Sequence, residues 1–286
     1  MVSVIIVNYN RKDLLKECLD SVIGQSFKDI ELIVVDNASS DGSIEMLGTY
    51  YPEIRLIRNA ANLLFAKAQN QGIDASRGKF ILCLNSDCIL DKDYLKEALN
   101  AMGLDPVIGM VSGKILRKDG KTIDSTGLFI GRSRKAVERG YDRKDVGQYN
   151  EPGYVFGTSG ACAFLRKSML KGIKDRYGYF DERFGMYYED LDLCWRAQKK
   201  GWKTYYNPKA VVYHARGGTA IGKKSEKGPR FLSLPEELKK RYVRNRYMCM
   251  KKNDSFAGIV LHLPFILCYD MGIRVLSFIK RKAKKK

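Results

Sequence analysis

Four strand-like runs that each stop on a polar residue, with amphipathic stretches between them, constrain this chain more than any other feature. Residues 3–9 (SVIIVNY) close on Asn8, residues 30–36 (IELIVVD) on Asp36, residues 54–59 (IRLIRN) on Asn59, and residues 79–87 (KFILCLNSD) on Asn85, Ser86 and Asp87. Continuous β-branched and apolar runs of this length suit strands buried on both faces. After the first run, Leu14, Leu15, Cys18, Leu19, Val22 and Ile23 recur at spacings of 3 and 4, the period of a helix with one apolar face. Residues 43–51 and 62–76 read as two more helices. Strands alternating with helices predict parallel βαβ units in a doubly wound α/β sheet. Ligands of such sheets sit beyond the carboxyl ends of the strands, so four polar strand ends predict a site.

The pattern loosens after Asp91. Residues 94–102 read as a helix, and residues 108–116 and 122–131 as shorter, antiparallel strands. Residues 132–152 are charged, contain glycine and lack periodicity, which predicts a mobile loop. Residues 154–173 give a strand, a Gly-Ser-Gly turn region, a second strand and a short helix. Residues 187–202 read as a helix, and residues 203–219 as one or two strands ending at His214. No Gly-x-Gly-x-x-Gly follows the first strand, which argues against a dinucleotide cofactor. Seven widely spaced cysteines, never as Cys-x-x-Cys, point to reduced core thiols in a cytoplasmic protein rather than disulfides or a zinc site. The N-terminal residues run straight into a strand, without the features of a secretory signal.

Several residues carry chemistry in this frame, each with a plainer alternative. Asp36 either caps its own turn or accepts hydrogen bonds from a base or ribose. Asp87 ends an apolar run that holds its carboxylate at the edge of a dry core. One carboxylate suffices for Mg²⁺ or Mn²⁺ when diphosphate oxygens and water complete the octahedron. Asn85 offers a carbonyl oxygen or a sugar contact, and Ser86 a turn. Glu189, Asp190 and Asp192 either offset the macrodipole of a helix or raise one another's proton affinity until one serves as a general base. His214 is either a hydrogen-bonded strand end or a ligand. The following Arg216 supplies a phosphate-binding fork, and Gly217 and Gly218 allow close backbone approach.

As an ordered set, "VSVIIVNYN", "ELIVVDNASSDGS", "NQG", "LNSD", "GTSGACAFLRKSML", "GYFDERFGMYYEDLDLCWRAQKKGW" and "VVYHARGGT" resemble the family 2 inverting glycosyltransferases of GT-A fold, in their rhamnosyltransferase-like branch. The match spans roughly residues 2–219. The resemblance implies a GT-A Rossmann-like, mostly parallel sheet flanked by helices. It also implies a nucleotide-sugar donor, dTDP- or UDP-linked, with its base near Asn8 and Asp36 and further donor contacts from Asn62, Asn85 and Ser86. Asp87 falls at the metal position of the family's Asp-x-Asp element, with His214 a second candidate ligand. Asp190 matches the catalytic base, and Glu189 its orienting neighbour. Ser159 and Gly160 fall in the segment along donor sugar and acceptor, with Arg216 near the diphosphate. Rhamnose is the first sugar implied, with galactose, glucose or an N-acetylhexosamine from UDP as alternatives. At Leu64 this sequence departs from the Gly the family often carries.

The chain's formal charge of +19 is concentrated at one end: from Arg216 onward stand 19 Lys and Arg against 5 Asp and Glu. Residues 255–279 are apolar but interrupted by His262, Pro264, Asp270 and Arg274. With basic flanks at 239–252 and 280–286 they read as an interfacial amphipathic segment on an anionic membrane, or else as a helix packed on the catalytic part. The expected organisation is a catalytic domain over 1–219, divided at 91 into a nucleotide-binding and an acceptor half, and a basic helical extension over 220–286 for membrane association. The expected acceptor is a saccharide, polyprenyl-linked, at the inner face of the cell membrane. A basic nucleic-acid-binding or membrane-binding module without catalysis is the alternative of another class; no nucleic-acid motif is present and no nucleic-acid partner is expected. Oligomeric state is left open, a dimer being one option.

Overall fold

The computed structural model describes residues 1–216, 231 and 234–283. The predicted alternation holds through the first half: β1 (Val2–Asn8), α1 (Lys12–Ile23), β2 (Ile30–Asp36), α2 (Ser43–Tyr50), β3 (Arg55–Arg58), α3 (Leu64–Ala75) and β4 (Phe80–Asn85). β3, β2, β1 and β4 lie side by side, all parallel, in register from Val2↔Ile30 to Asn8↔Asp36 and with Val7 beside Asn85. The polar strand ends therefore fall along one edge.

Each strand feeds two cores, as a period of two requires. Val2, Val4 and Ile6 of β1, with Leu82 and Leu84 of β4, pack beneath α1 and α2. Ile5, Ile81 and Cys83 face the opposite way, against α3.

The second half runs β5 (Cys88–Leu90), α4 (Tyr94–Gly103), β6 (Ile108–Arg117), β7 (Ile123–Ser125), β8 (Leu128–Ile130), β9 (Ala136–Glu138), β10 (Gly153–Val155), β11 (Cys162–Arg166), α5 (Lys167–Ile173), α6 (Glu189–Lys199) and β12 (Lys203–His214). Antiparallel β11 joins β4 to β6, and the sheet continues through β12 to β10. The run at 108–116, expected to be short and antiparallel, pairs antiparallel with β11 and β7 but is a ten-residue strand that also runs parallel to β12. Its buried residues on both faces explain why its apolar content did not alternate.

Residues 132–152 are not a featureless loop. β9 pairs with β8 as a hairpin, and further on Lys114 reaches Asp145 at 2.9 Å and Asn150 at 2.6 Å. Their order comes from polar contacts, which leave no hydrophobic period in a sequence.

The extension contributes α7 (Glu236–Asn253) and α8 (Phe256–Ala283). α7 packs on α6 and the loop before it: Lys252 Nζ lies 2.7 Å from Asp181 and 3.2 Å from Asp192, and Asn253 donates to Asp192 at 2.8 Å. Arg246, fully buried, pairs with Asp270 of α8 at 2.5 Å and donates to the Ser133 carbonyl. Part of the basic charge thus turns inward. Gly217, Gly218 and Thr219, the proposed boundary at 219–220, and Lys284, Lys285 and Lys286 lie outside the described residues.

Candidate active site

A cleft of about 330 Å³ opens at the carboxyl edge of the parallel strands. Asn85, Ser86 and Asp87 reach it from the turn between β4 and β5, Asn62 and Leu64 from the start of α3, and Ser159 and Gly160 from the turn before β11. Glu189 and Asp190 enter from the first turn of α6, and His214 and Arg216 from the end of β12.

Asn8 and Asp36 do not line this cleft. Both are fully buried, and Asn8 Nδ2 donates to Asp36 at 3.0 Å and to Ser39 Oγ at 3.1 Å. Asp36 also accepts from the Ser39 backbone N–H at 2.8 Å. The turn-capping bond weighed for Asp36 is present, and the pair folds the loop after β2, while the adjacent Tyr9, Arg11 and Asn37 face the cleft.

Near Asp87 a relay crosses three strands. His214 Nε2 lies 3.2 Å from Asp87 Oδ1, and Nδ1 lies 2.8 Å from Asp124 Oδ2, in β7. Asp124 also accepts from Arg216 Nε. Burial opposes charge on His214, but the hydrogen bonds and negative charges of Asp124 and Asp87 outweigh it and raise its pKa to about 9. For Asp124 burial pushes up, yet the bond from His214 and the charge of Arg216 hold it down at about 2.

This donor set fits a divalent cation. Without a cation Nε2 pairs with Asp87 and carries a proton; a cation would displace that proton, and with Nδ1–H given to Asp124, Nε2 would then be the ligating nitrogen, the arrangement by which second-shell carboxylates orient metal-binding histidines. It converges with Asp87 Oδ1; the carboxylate oxygen suits Mg²⁺ or Mn²⁺, and the imidazole nitrogen favours the transition metal Mn²⁺ over the harder Mg²⁺. Cys88 lies in the same grouping, but burial keeps its thiol protonated and its Sγ contacts the Ala161 carbonyl at 3.4 Å.

Asp190 sits across the cleft, partly exposed. Its Oδ2 accepts from the Gly160 N–H at 3.0 Å and its Oδ1 from the Leu191 N–H at 2.8 Å. A Cβ on residue 160 would stand 3.3 Å from Asp190 Cβ, so glycine permits this approach. Burial raises the Asp190 pKa, against the lowering by those N–H groups. Glu189 is pushed further up, by burial and then by Asp190. The stronger upward push on Glu189 leaves Asp190 the readier of the two to ionise, which divides the pair into unlike roles.

Glu138, from β9, also lines the cleft. It accepts from Ser125 Oγ, and burial raises its pKa to about 7. Asp124 and Glu138 are the acidic residues of the cleft missed from the sequence, and Tyr9, Arg11 and Asn37 were not singled out either. An acidic residue interrupting the short apolar run before Ser125 was a signal for Asp124, whereas nothing distinguished Glu138 within a charged stretch. Leu64, standing where the family often has Gly, adopts φ 65°, the left-handed backbone that glycine takes freely, and its N–H donates to Asn62 Oδ1 at 2.9 Å.

Residues 3–174 match glycosyl transferase family 2, and the chain belongs to that family. It is 27% identical over 235 residues to an N-acetylglucosaminyl-diphospho-decaprenol L-rhamnosyltransferase of Mycobacterium tuberculosis, covering 74% of this chain and 75% of that protein. It is 23% identical over 223 residues to a poly-beta-1,6-N-acetyl-D-glucosamine synthase of Staphylococcus epidermidis, covering 74% of this chain and 49% of the synthase. An uncharacterized protein of Sinorhizobium fredii, y4gI, is 25% identical over 90% of this chain, which spans only 29% of its length. The crystal structure of Staphylococcus aureus TarS superposes with a TM-score of 0.54 over 72% of this chain and 36% of TarS, at 19% identity. That likeness establishes the GT-A fold.

Proposed function

We propose that the protein is an inverting hexosyltransferase that moves a sugar from a nucleoside-diphosphate donor to a saccharide acceptor in the synthesis of a cell-surface polysaccharide. The observation that carries this reading is the facing of Asp190, held by the Gly160 N–H, and the Asp87–His214–Asp124 relay across one cleft. Asp190 takes the proton of an acceptor hydroxyl as that oxygen forms its bond to the anomeric carbon, and the bond to the diphosphate oxygen breaks with the electron pair leaving on diphosphate. Asp87 and His214 would hold a Mg²⁺ or Mn²⁺ ion, which supplies positive charge to the departing diphosphate. Arg216, held by Asp124, adds a fixed cation on the same side. Tyr9, Arg11, Asn37 and Asn62 face the nucleotide end, with Asn8 and Asp36 supporting them from beneath.

The similarity to the mycobacterial enzyme favours rhamnose from a dTDP donor and a polyprenyl-linked acceptor. The similarity to the staphylococcal synthases supports the alternative, an N-acetylhexosamine from UDP. A thermal-shift panel of UDP, dTDP and GDP, with and without Mn²⁺, tests the donor site. Wild type should be stabilised by one of them only with cation, and Asp87→Ala should lose that stabilisation. Cation-independent binding equal in both forms would overturn the metal assignment.

The reading places the protein on the inner face of the cell membrane, and α8 supports it. Its stretch Phe256–Leu276 is long and apolar enough to cross a bilayer, with a mean hydropathy of 1.7. One face, with Ile266 and Asp270, is held against the domain by Arg246, while Phe256, Leu261, Leu267 and Met271 are exposed. A helix clamped along one side to a folded domain suits an in-plane, interfacial position better than a span.

A further inference from the structure

We infer that Asn245, on α7, is a positioning residue for the catalytic turn, holding the segment that delivers Glu189 and Asp190 to the cleft. The side chain is fully buried, and its Nδ2 lies 2.8 Å from the Phe184 carbonyl, 2.9 Å from that of Met186 and 2.8 Å from that of Tyr187. Two hydrogens meet three acceptors, so at least one bond is shared. The amide oxygen is occupied as well, accepting from Arg244 Nε at 3.1 Å and from its terminal nitrogen at 2.9 Å. The same terminal nitrogen donates to the Arg183 carbonyl.

The segment needs such a clamp. Gly185, Tyr187 and Tyr188 have φ of 67°, 71° and 72°, and two consecutive bulky residues in left-handed backbone persist only where surrounding contacts impose them. The ring of Tyr242, one turn earlier on α7, packs edge-on against Tyr188 at 5.0 Å and Tyr187 at 5.9 Å. The left-handed pair turns the chain directly into the first residue of α6, Glu189, followed by Asp190. The three carbonyls all lie in the segment that leads into the helix, and Asn245 Nδ2 draws them together from one side, beside the bond that the Phe184 carbonyl accepts from the Met186 N–H at 2.7 Å. By its position α7, from a tail that reads as a basic appendage, thereby sets where the carboxylate pair stands relative to Gly160.

This inference rests on the transferase reading of the cleft. The test compares Asn245→Ala, which removes both donors, with Asn245→Ser, which keeps one hydroxyl donor in a smaller side chain. Amide exchange at 184–190 should accelerate about tenfold or more in Asn245→Ala and less in Asn245→Ser, with β1, β2 and β4 unchanged. Turnover, followed as nucleoside diphosphate released from a panel of UDP- and dTDP-sugars, should fall about tenfold or more in kcat while KM for the donor stays within about twofold. Exchange at wild-type rate in both variants, or a loosened segment with undiminished kcat, would overturn the role of Asn245. A wild-type protein that binds neither Mn²⁺–UDP nor Mn²⁺–dTDP in calorimetry would instead overturn the reading of the cleft on which the inference depends.

Discussion

Asp124 and His214 are joined by a 2.8 Å contact between carboxylate and Nδ1 that fixes which imidazole nitrogen faces Asp87. The two residues come from β7 and β12, 90 positions apart, and β6 lies between their strands. Asp124→Asn should leave the fold intact yet weaken cation-dependent nucleotide binding by roughly 10–100-fold, as loss of an orienting carboxylate does at other metal sites. Calorimetric titration of nucleoside diphosphate at fixed Mn²⁺ measures it, and unchanged affinity would remove the relay from the metal site.

The pH profile should show an acid limb above the ordinary carboxylate range. A general base acts in its ionised form, and burial raises the Asp190 pKa, so kcat falls as pH drops through that raised value. Glu138, titrating near 7, lies in the same cleft. Glu138→Gln separates the two: the acid limb should persist in the variant, and its disappearance would reassign it to Glu138.

Lys252 stands between two fully buried carboxylates, Asp181 and Asp192. Lys252→Met should cost roughly 3 kcal/mol at neutral pH in denaturant unfolding, because breaking a buried pair leaves charge short of a partner. Burial raises the Asp181 pKa, but Arg183 and Lys252 bring it down to about 2. Its folded value lies below its unfolded one, so this stabilisation is present above about pH 4 and fades as pH falls towards 2. The difference between wild type and Lys252→Met should shrink over that window. A constant difference would assign the loss to packing instead.

The exposed apolar face of α8 predicts partition onto anionic vesicles. Leu261→Gln, Leu267→Gln and Met271→Gln together should reduce flotation with such vesicles by about tenfold or more, since each side chain forfeits the burial of apolar surface. Nucleotide binding should not change. Equal flotation of wild type and triple variant would leave the basic residues as the whole of any membrane attraction.

The alternation of strands and helices was legible because each βαβ unit writes its own period locally. Asn85, Ser86, Asp87, Glu189 and Asp190 were legible for a related reason: they stand at the ends of such elements. Asn8 and Asp36 show the limit of that rule, since a polar strand end that finds its partner on the neighbouring strand turns into the foundation of the loop above it. Asp124 and Glu138 reach the cleft only through pairings of the antiparallel excursion, which no local period encodes. Asn245 was hidden in a helix whose cations dominate its composition, although its buried side is what touches the site.

The most direct test of the transferase mechanism is the turnover of Asp190→Asn, a change of one atom in a side chain that keeps its size. With folding and cation-dependent nucleotide binding as in wild type, sugar transfer should fall by roughly 10²-fold or more, because the acceptor hydroxyl loses its base. Transfer at near wild-type rate by a correctly folded Asp190→Asn would contradict it.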